Sequence, residues 1–190
     1  MFISINGFAI LDDKILRRRW RAVRNLYNKS KRRIHATDSH FRDLREKSIK
    51  LLGRHNVSII SVFQLIQEIP YEFFDKDGVK LDVVYGELLK KLFFEISLEK
   101  YQKVRIIIDA RKHKGGRLAE QRFCKDMKIF LEYEFLGIDC EFKQVASYVD
   151  VLLELADFVS NTLYKEYQKD SKHVFQELGL KFIQIKNPLS

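Results

Sequence analysis

The sequence predicts an α/β fold, in which a mixed sheet is flanked by helices within one domain spanning residues 1–190. Apolar, β-branched runs alternate with segments of helical period along the whole chain. The run VRIIID at 104–109 is continuously apolar up to its aspartate, which is typical of a strand covered on both faces. No linker, repeat or change of composition divides the chain, and 190 residues suit a single domain.

The first third predicts a strand followed by two helices. The segment FISINGFAIL at 2–11 is apolar and β-branched, which indicates a strand. Asp12-Asp13 is expected to begin a helix, because acidic residues favour the positive end of the helix dipole. Ser39 is expected to cap a second helix over 40–53, which ends near Gly53.

The remaining two thirds predict alternating strands and helices. The apolar run at 57–66 indicates a buried strand, and 68–78 a loop that turns at Asp77-Gly78. Apolar residues at helical spacing predict three further helices, and β-branched or alternating runs predict strands between and after them. These helices are placed at 81–99, 117–135 and 149–168, and the strands at 104–109, 138–145 and 180–185.

The composition excludes several classes of protein. A hydrophobic fraction of 46% and an aromatic fraction of 13% argue against intrinsic disorder. No apolar run approaches the roughly 20 residues that span a bilayer, and the start lacks the features of a signal peptide. Cys124 and Cys140 alone form no disulfide framework in a chain of this size. We therefore expect a cytoplasmic protein without a membrane partner.

The net charge of +9 is concentrated at the front of the chain. Residues 1–54 hold 15 Lys and Arg against 5 Asp and Glu, whereas residues 55–190 hold 20 against 21. Such asymmetry indicates a polyanionic partner, most commonly DNA or RNA. A solvated helix face followed by a basic loop is the alternative. The candidate contacts are Arg17, Arg21, Arg24, Lys31, Arg32 and Arg33.

The helix predicted at 149–168 carries a row of carboxylates. Asp150, Glu154 and Asp157 fall on one face, and Asn161 continues the row. Nearly every other residue up to 163 is apolar, so this helix is expected to be mostly buried. A bound Mg²⁺ or Mn²⁺ would offset both the repulsion between these carboxylates and the cost of burying their charge. The alternative is a narrow solvated stripe at the edge of the domain.

Asp109 is a second acidic candidate. It ends the strand at 104–109, and the carboxyl ends of strands are where open α/β sheets position ligands. The basic loop after it would suit phosphate oxygens through Arg111, Lys112 and Lys114. A turn or helix-capping role for Asp109 is the alternative. We expect the carboxylates of Asp109 and Asp157 to lie within about 4–8 Å of each other, sharing a metal that supports phosphoryl chemistry.

Four segments resemble the ribonuclease H-like family known as domain of unknown function 3800, over most of the chain. The segment at 2–13 resembles its second strand with an acidic turn, and RRIHATDSHFRDLREKSIKLL resembles its E-L-H-A segment. The segment VRIIIDARKHKGG resembles the strand that ends in an aspartate. The most specific match is SYVDVLLELADFVSNTLYK, which resembles S…L-Q-L-A-D-L-V-A, with Ser147, Leu153, Leu155, Ala156 and Asp157 in matching places.

The resemblance implies a divalent-metal-dependent nuclease that acts on nucleic acid. Asp109 and Asp157 correspond to acidic positions of the family's metal centre, and His35 corresponds to its histidine. Glu154 stands where the family usually has Gln, and Arg33 stands where it has a carboxylate. The family's opening D-E-S-G strand has no counterpart here, so weak or absent activity is expected.

The function predicted from these features is a ribonuclease H-like, metal-dependent phosphodiesterase module. Its expected catalytic residues are Asp109, Asp157 and Glu154, and its expected metal ligands are Asp109, Asp157 and Asp150, with His35 and Ser147 as further candidates. A non-catalytic nucleic-acid-binding relative and a protein-interaction module with a basic face are the alternatives. Without the opening strand, the strand at 2–11 is expected to fill the gap in the sheet or to self-associate through an open edge.

Overall fold

The structure, a computed structural model, describes residues 1–27, 34–37, 40–111, 113, 115–169 and 174–190, with the side chain of Phe41 excepted. Strands and helices alternate along these residues, which confirms the predicted mixed α/β fold. None of the helices in these ranges is long and apolar enough to cross a membrane.

The regular elements are numbered in chain order. The strands are β1 Phe2–Ile10, β2 Val57–Leu65, β3 Phe74–Asp75, β4 Gly78–Val79, β5 Lys103–Asp109, β6 Asp139–Val145 and β7 Lys181–Lys186. The α-helices are α1 Lys14–Tyr27, α2 Phe41–Gly53, α3 Leu81–Glu95, α4 Gly116–Glu134, α5 Val151–Lys169 and α6 Val174–Glu177. Short 3-10 helices lie at Ile66–Glu68, Tyr71–Phe73 and Leu98–Lys100.

The elements predicted from periodicity are confirmed, and most of their ends shift by only one or two residues. The predicted loop at 68–78 instead contains two 3-10 turns and the short antiparallel pair β3–β4. Gly78 begins β4 with a φ of 106°, a left-handed value that glycine adopts without strain. The expected cap Ser39 lies outside the described residues.

The strands form separate hydrogen-bonded sheets. One has the order β1-β2-β7, and another pairs β5 with β6 in parallel from Lys103↔Asp139 to Asp109↔Val145. In β5 the side chains of Val104, Ile106 and Ile108 pack into a core, whereas Lys103 and Arg105 are exposed. On that same face Ile107 and Asp109 are half-buried, so the expectation that both faces of this strand are covered fails for its first half and holds for its second.

The chain divides into two compact units. Unit 1 comprises residues 1–5, 62–145 and 184–190, and unit 2 comprises residues 6–61 and 146–183. The core of unit 1 forms mainly around α3, α4, β5 and β6. The core of unit 2 forms where α1, α2 and α5 pack together around Trp20 and Phe158. The assignment of residues 1–190 to one ribonuclease H-like domain stays a prediction.

Candidate functional site

The acidic row of α5 lies against the basic helix α1 in unit 2. Helix α1 is anchored by Leu16 and Trp20, both completely buried. The Trp20 ring meets Phe158 of α5 edge-on, with 5.7 Å between the ring centroids. Arg17 and Arg24 flank this apolar contact on α1, so their long side chains reach the carboxylates of α5.

Arg24 and Glu154 form a two-point ion pair. The guanidinium donates from Nε to Oε2 and from Nη2 to Oε1 of Glu154, each over 2.9 Å. The backbone N–H of Ile34 also donates to Oε1, over 3.2 Å. The Glu154 side chain is only 1% exposed and that of Arg24 is 14% exposed. This carboxylate is therefore buried, and both of its oxygens accept hydrogen bonds within the chain.

Arg17 forms the second two-point pair, with Asp150. Its Nη1 and Nη2 donate to the two carboxylate oxygens over 2.6 and 2.9 Å, and its Nε donates to Asp13. Burial alone would raise the pKa of Asp150, but the hydrogen bonds from Arg17 and the Leu152 N–H outweigh it, so the pKa is lowered. The same contact with Asp150 raises the pKa of Arg17.

These pairs correct the prediction that Arg17, Arg21 and Arg24 form one solvent-facing row. Arg17 and Arg24 point toward α5, and only Arg21 is exposed. Lys14 and Arg18 lie on the same stripe as Arg21, at helical spacing, and are exposed too. Within the described residues, no ion pair uses the side chains of these three cations. We call Lys14, Arg18 and Arg21 the outer row.

Asp157 continues the acidic row in a more open position. Its Oδ2 accepts a hydrogen bond from the Ala36 N–H over 3.0 Å and lies 4.0 Å from Nδ1 of His35. The side chains of His35 and Asp157 are 49% and 32% exposed. His35, which the resemblance matches to the family's histidine, therefore lies beside Asp157. One turn further along α5, the buried Oδ1 of Asn161 finds no hydrogen-bond partner among the described residues.

Asp109 and the loop after it belong to unit 1. Arg111 donates to Asp82 over 2.7 Å and lies 4.2 Å from the centroid of the Tyr85 ring. His113 is buried between Asp82 and Gln144. Burial raises the pKa of Tyr85, Arg111 lowers it and Asp109 raises it further.

The structure describes some of the remaining candidates and not others. Ser147, in unit 2, is buried. Asp109 lies in unit 1 and Asp157 in unit 2, so their expected proximity stays a prediction. Five candidate cations lie outside the described residues: Lys31, Arg32, Arg33, Lys112 and Lys114.

The described carboxylates do not offer a preformed metal site within unit 2. Among the described residues, no group of three or more His, Cys, Asp or Glu side chains could hold a metal ion. Both oxygens of Asp150 and of Glu154 already accept hydrogen bonds from arginine. Of the row, Asp157 alone is not paired with an arginine among the described ion pairs. The donor set at Asp150 and Glu154 therefore does not fit Mg²⁺ or Mn²⁺, which needs free carboxylate oxygens and room for water.

The excess positive charge is a property of unit 2. Its segments carry 19 Lys and Arg against 11 Asp and Glu, whereas those of unit 1 carry 16 against 15. Lys14 and Arg18 of the outer row were missed in the sequence because the arginines were grouped by their own spacing. The angle about the helix axis between each cation and the buried Trp20 is the signal that separates inward-facing from outward-facing cations.

No family model, curated protein or solved structure matches this chain. Its function is therefore argued from the residues themselves.

Proposed function

We propose that this chain is a nucleic-acid-binding module in which unit 2 contacts the phosphate backbone through the outer row. One observation carries the proposal: α1 uses Arg17 and Arg24 to bind α5 and leaves Lys14, Arg18 and Arg21 exposed. Exposed cations that form no ion pair among the described residues remain available to an external polyanion.

The spacing of the outer row suits consecutive phosphates. Lys14 and Arg21 are seven residues apart, which is about 10 Å along a helix. Phosphates of one strand follow each other about every 3.4 Å along a duplex axis, so the row spans a few of them. Contacts of this kind position a protein on nucleic acid without reading the bases. We therefore propose weak binding with little sequence preference.

A salt titration of binding tests this proposal. Fluorescent single-stranded DNA, duplex DNA and RNA of unrelated sequences are titrated with the protein at several salt concentrations. The proposal expects log K to fall linearly with log salt, to a similar extent for unrelated sequences. Polyglutamate is the competitor that separates an acidic protein partner from nucleic acid. Preferential binding of polyglutamate would favour the protein-interaction module and contradict the proposal.

A metal-dependent phosphodiesterase is the second candidate function. The observation that favours it is the accessible His35–Asp157 pair, with 4.0 Å between Nδ1 and Oδ2. In this candidate Asp157 would be a ligand of the metal, which would supply an activated water for attack on phosphorus.

Cleavage of labelled nucleic acid in Mg²⁺ or Mn²⁺ tests the second candidate. We expect weak or absent cleavage by this chain. The control variant is Asp43→Ala, at an exposed position of α2. Cleavage that is abolished by EDTA and by Asp157→Ala, but not by Asp43→Ala, would instead favour the phosphodiesterase. Both candidate functions include a proposed cytoplasmic location, and the free thiols of Cys124 and Cys140 support it.

A further inference from the structure

We propose that the guanidinium of Arg24 takes the place of a metal ion in the acidic row of α5. In this account Glu154 is the counter-ion of α1 and not a metal ligand. The row gains affinity for a divalent cation only when Arg24 is removed. This inference is independent of nucleic-acid binding, because Arg24 is not part of the outer row.

The geometry of the pair engages both oxygens of Glu154. Oε2 accepts from Arg24 Nε, and Oε1 accepts from both Arg24 Nη2 and the Ile34 N–H. Two parallel hydrogen bonds from a planar guanidinium match a carboxylate in both distance and direction. A metal would have to displace Arg24 to reach either oxygen.

Burial makes that displacement costly. Mg²⁺ keeps several waters in near-octahedral geometry, whereas the Glu154 side chain is 1% exposed. A divalent cation placed beside Arg24 would also repel its charge. Arg24 would also lose its ion pair with Glu154 while it is only 14% exposed.

Removal of the Arg24 side chain exposes a pair of carboxylates. Glu154 and Asp157 are three residues apart on one helix face, the spacing at which side chains meet. Glu154 would then be negatively charged without its counter-ion, and the vacated space would admit water. One or two carboxylates with water are the ligands that Mg²⁺ and Mn²⁺ prefer. Arg24→Met therefore creates a cation site from residues that the wild type uses for helix packing.

Titration with Mn²⁺ alone, followed by its electron paramagnetic resonance, tests the inference. The proteins compared are wild type, Glu154→Gln, Arg24→Met and the double variant Arg24→Met/Glu154→Gln. We expect Glu154→Gln to leave the Mn²⁺ affinity of the wild type unchanged. We expect Arg24→Met to gain one site at least about tenfold tighter than any in the wild type, and the double variant to lose it. Mn²⁺ should also raise the melting temperature of Arg24→Met more than that of the double variant.

Two results would overturn the inference. One is a loss of wild-type Mn²⁺ affinity in Glu154→Gln, which would make Glu154 a ligand despite Arg24. The other is a folded Arg24→Met variant that binds Mn²⁺ no more tightly than the wild type. If Arg24→Met does not fold, the comparison of wild type with Glu154→Gln decides the question, because Gln retains the size of Glu and an acceptor for Arg24.

Discussion

Arg24 of α1 and Glu154 of α5 join two helices through a pair of 2.9 Å hydrogen bonds in a nearly water-free position. The sequence predicts these residues as parts of two different sites, one for nucleic acid and one for metal. The structure makes them each other's partner. Among the described residues of α1 and of the acidic row, those left exposed or partly exposed without an arginine–carboxylate pair include the outer row and Asp157.

Loss of Arg24 should destabilise the fold strongly. We expect Arg24→Met to lower the free energy of unfolding by about 3–5 kcal/mol, because it leaves the Glu154 carboxylate buried without its counter-ion. Urea unfolding followed by fluorescence measures this directly, since Trp20 is the only tryptophan and is completely buried in unit 2.

The double variant Arg24→Met/Glu154→Gln is the matched control for this prediction. It removes both charges, so most of the lost stability should return. If Arg24→Met lowers the free energy of unfolding by less than about 1 kcal/mol, the Arg24–Glu154 pair contributes no more than a surface ion pair. That result would contradict its burial.

Acid should weaken the contact between Arg17 and Asp150. The pKa of Asp150 is lowered in the folded state, so its ion pair stabilises the protein above the unfolded-state pKa of about 3.9 and is lost as the pH falls through the folded value. We expect Asp150→Asn to be less stable than wild type at neutral pH. The difference in unfolding free energy should shrink as the pH falls below about 4, and a constant difference would argue against the pair as its source.

Trp20 should tolerate phenylalanine better than alanine. Trp20→Ala leaves a cavity beside Phe158 and should cost about 3–5 kcal/mol of unfolding free energy. The buried Nε1 of Trp20 has no hydrogen-bond partner among the described residues, so Trp20→Phe loses volume but no hydrogen bond. Urea unfolding followed by circular dichroism compares the two variants, and equal costs would show that packing against Phe158 contributes little.

The fold could be predicted because its elements have strong periodicity. Strand β2 and helix α5 follow from apolar runs of the right length and spacing, within two residues of their ends. Burial in α5 could be predicted for the same reason, since its residues are apolar on nearly every side. The short pair β3–β4 could not, because two-residue strands carry no periodic signal.

The site could be predicted only in part. Residue spacing predicted the row of carboxylates on α5. Their partners depend on how α1 packs against α5, and the spacing within one helix carries no information about that packing. Around the helix, Arg17 and Arg24 lie within about 60° of the buried Trp20, so their charges turn inward. Arg18 lies about 160° from Trp20 and stays exposed. The contact of Asp157 with the Ala36 N–H joins segments far apart in sequence and carries no local pattern.

Self-association through a sheet edge remains an expected property of the chain. In the described sheets β1, the strand to which this expectation applies, is hydrogen-bonded to β2 alone, and an open strand edge recruits other chains. Sedimentation velocity at rising protein concentration should show a growing fraction of dimer or larger species. A monomer at every concentration would show that this edge is protected.

The salt dependence of nucleic-acid binding tests the central claim most directly. The triple variant Lys14→Ala/Arg18→Ala/Arg21→Ala is compared with Lys76→Ala/Lys91→Ala/Lys100→Ala, which removes the same charge from exposed positions of unit 1. On duplex DNA, each lost phosphate contact flattens the plot of log K against log salt by about 0.9. We predict that the outer-row variant flattens the slope by about 2–3 units while the control keeps the wild-type slope. An unchanged slope in the outer-row variant, or an equal change in both variants, would contradict the claim that α1 contacts nucleic acid.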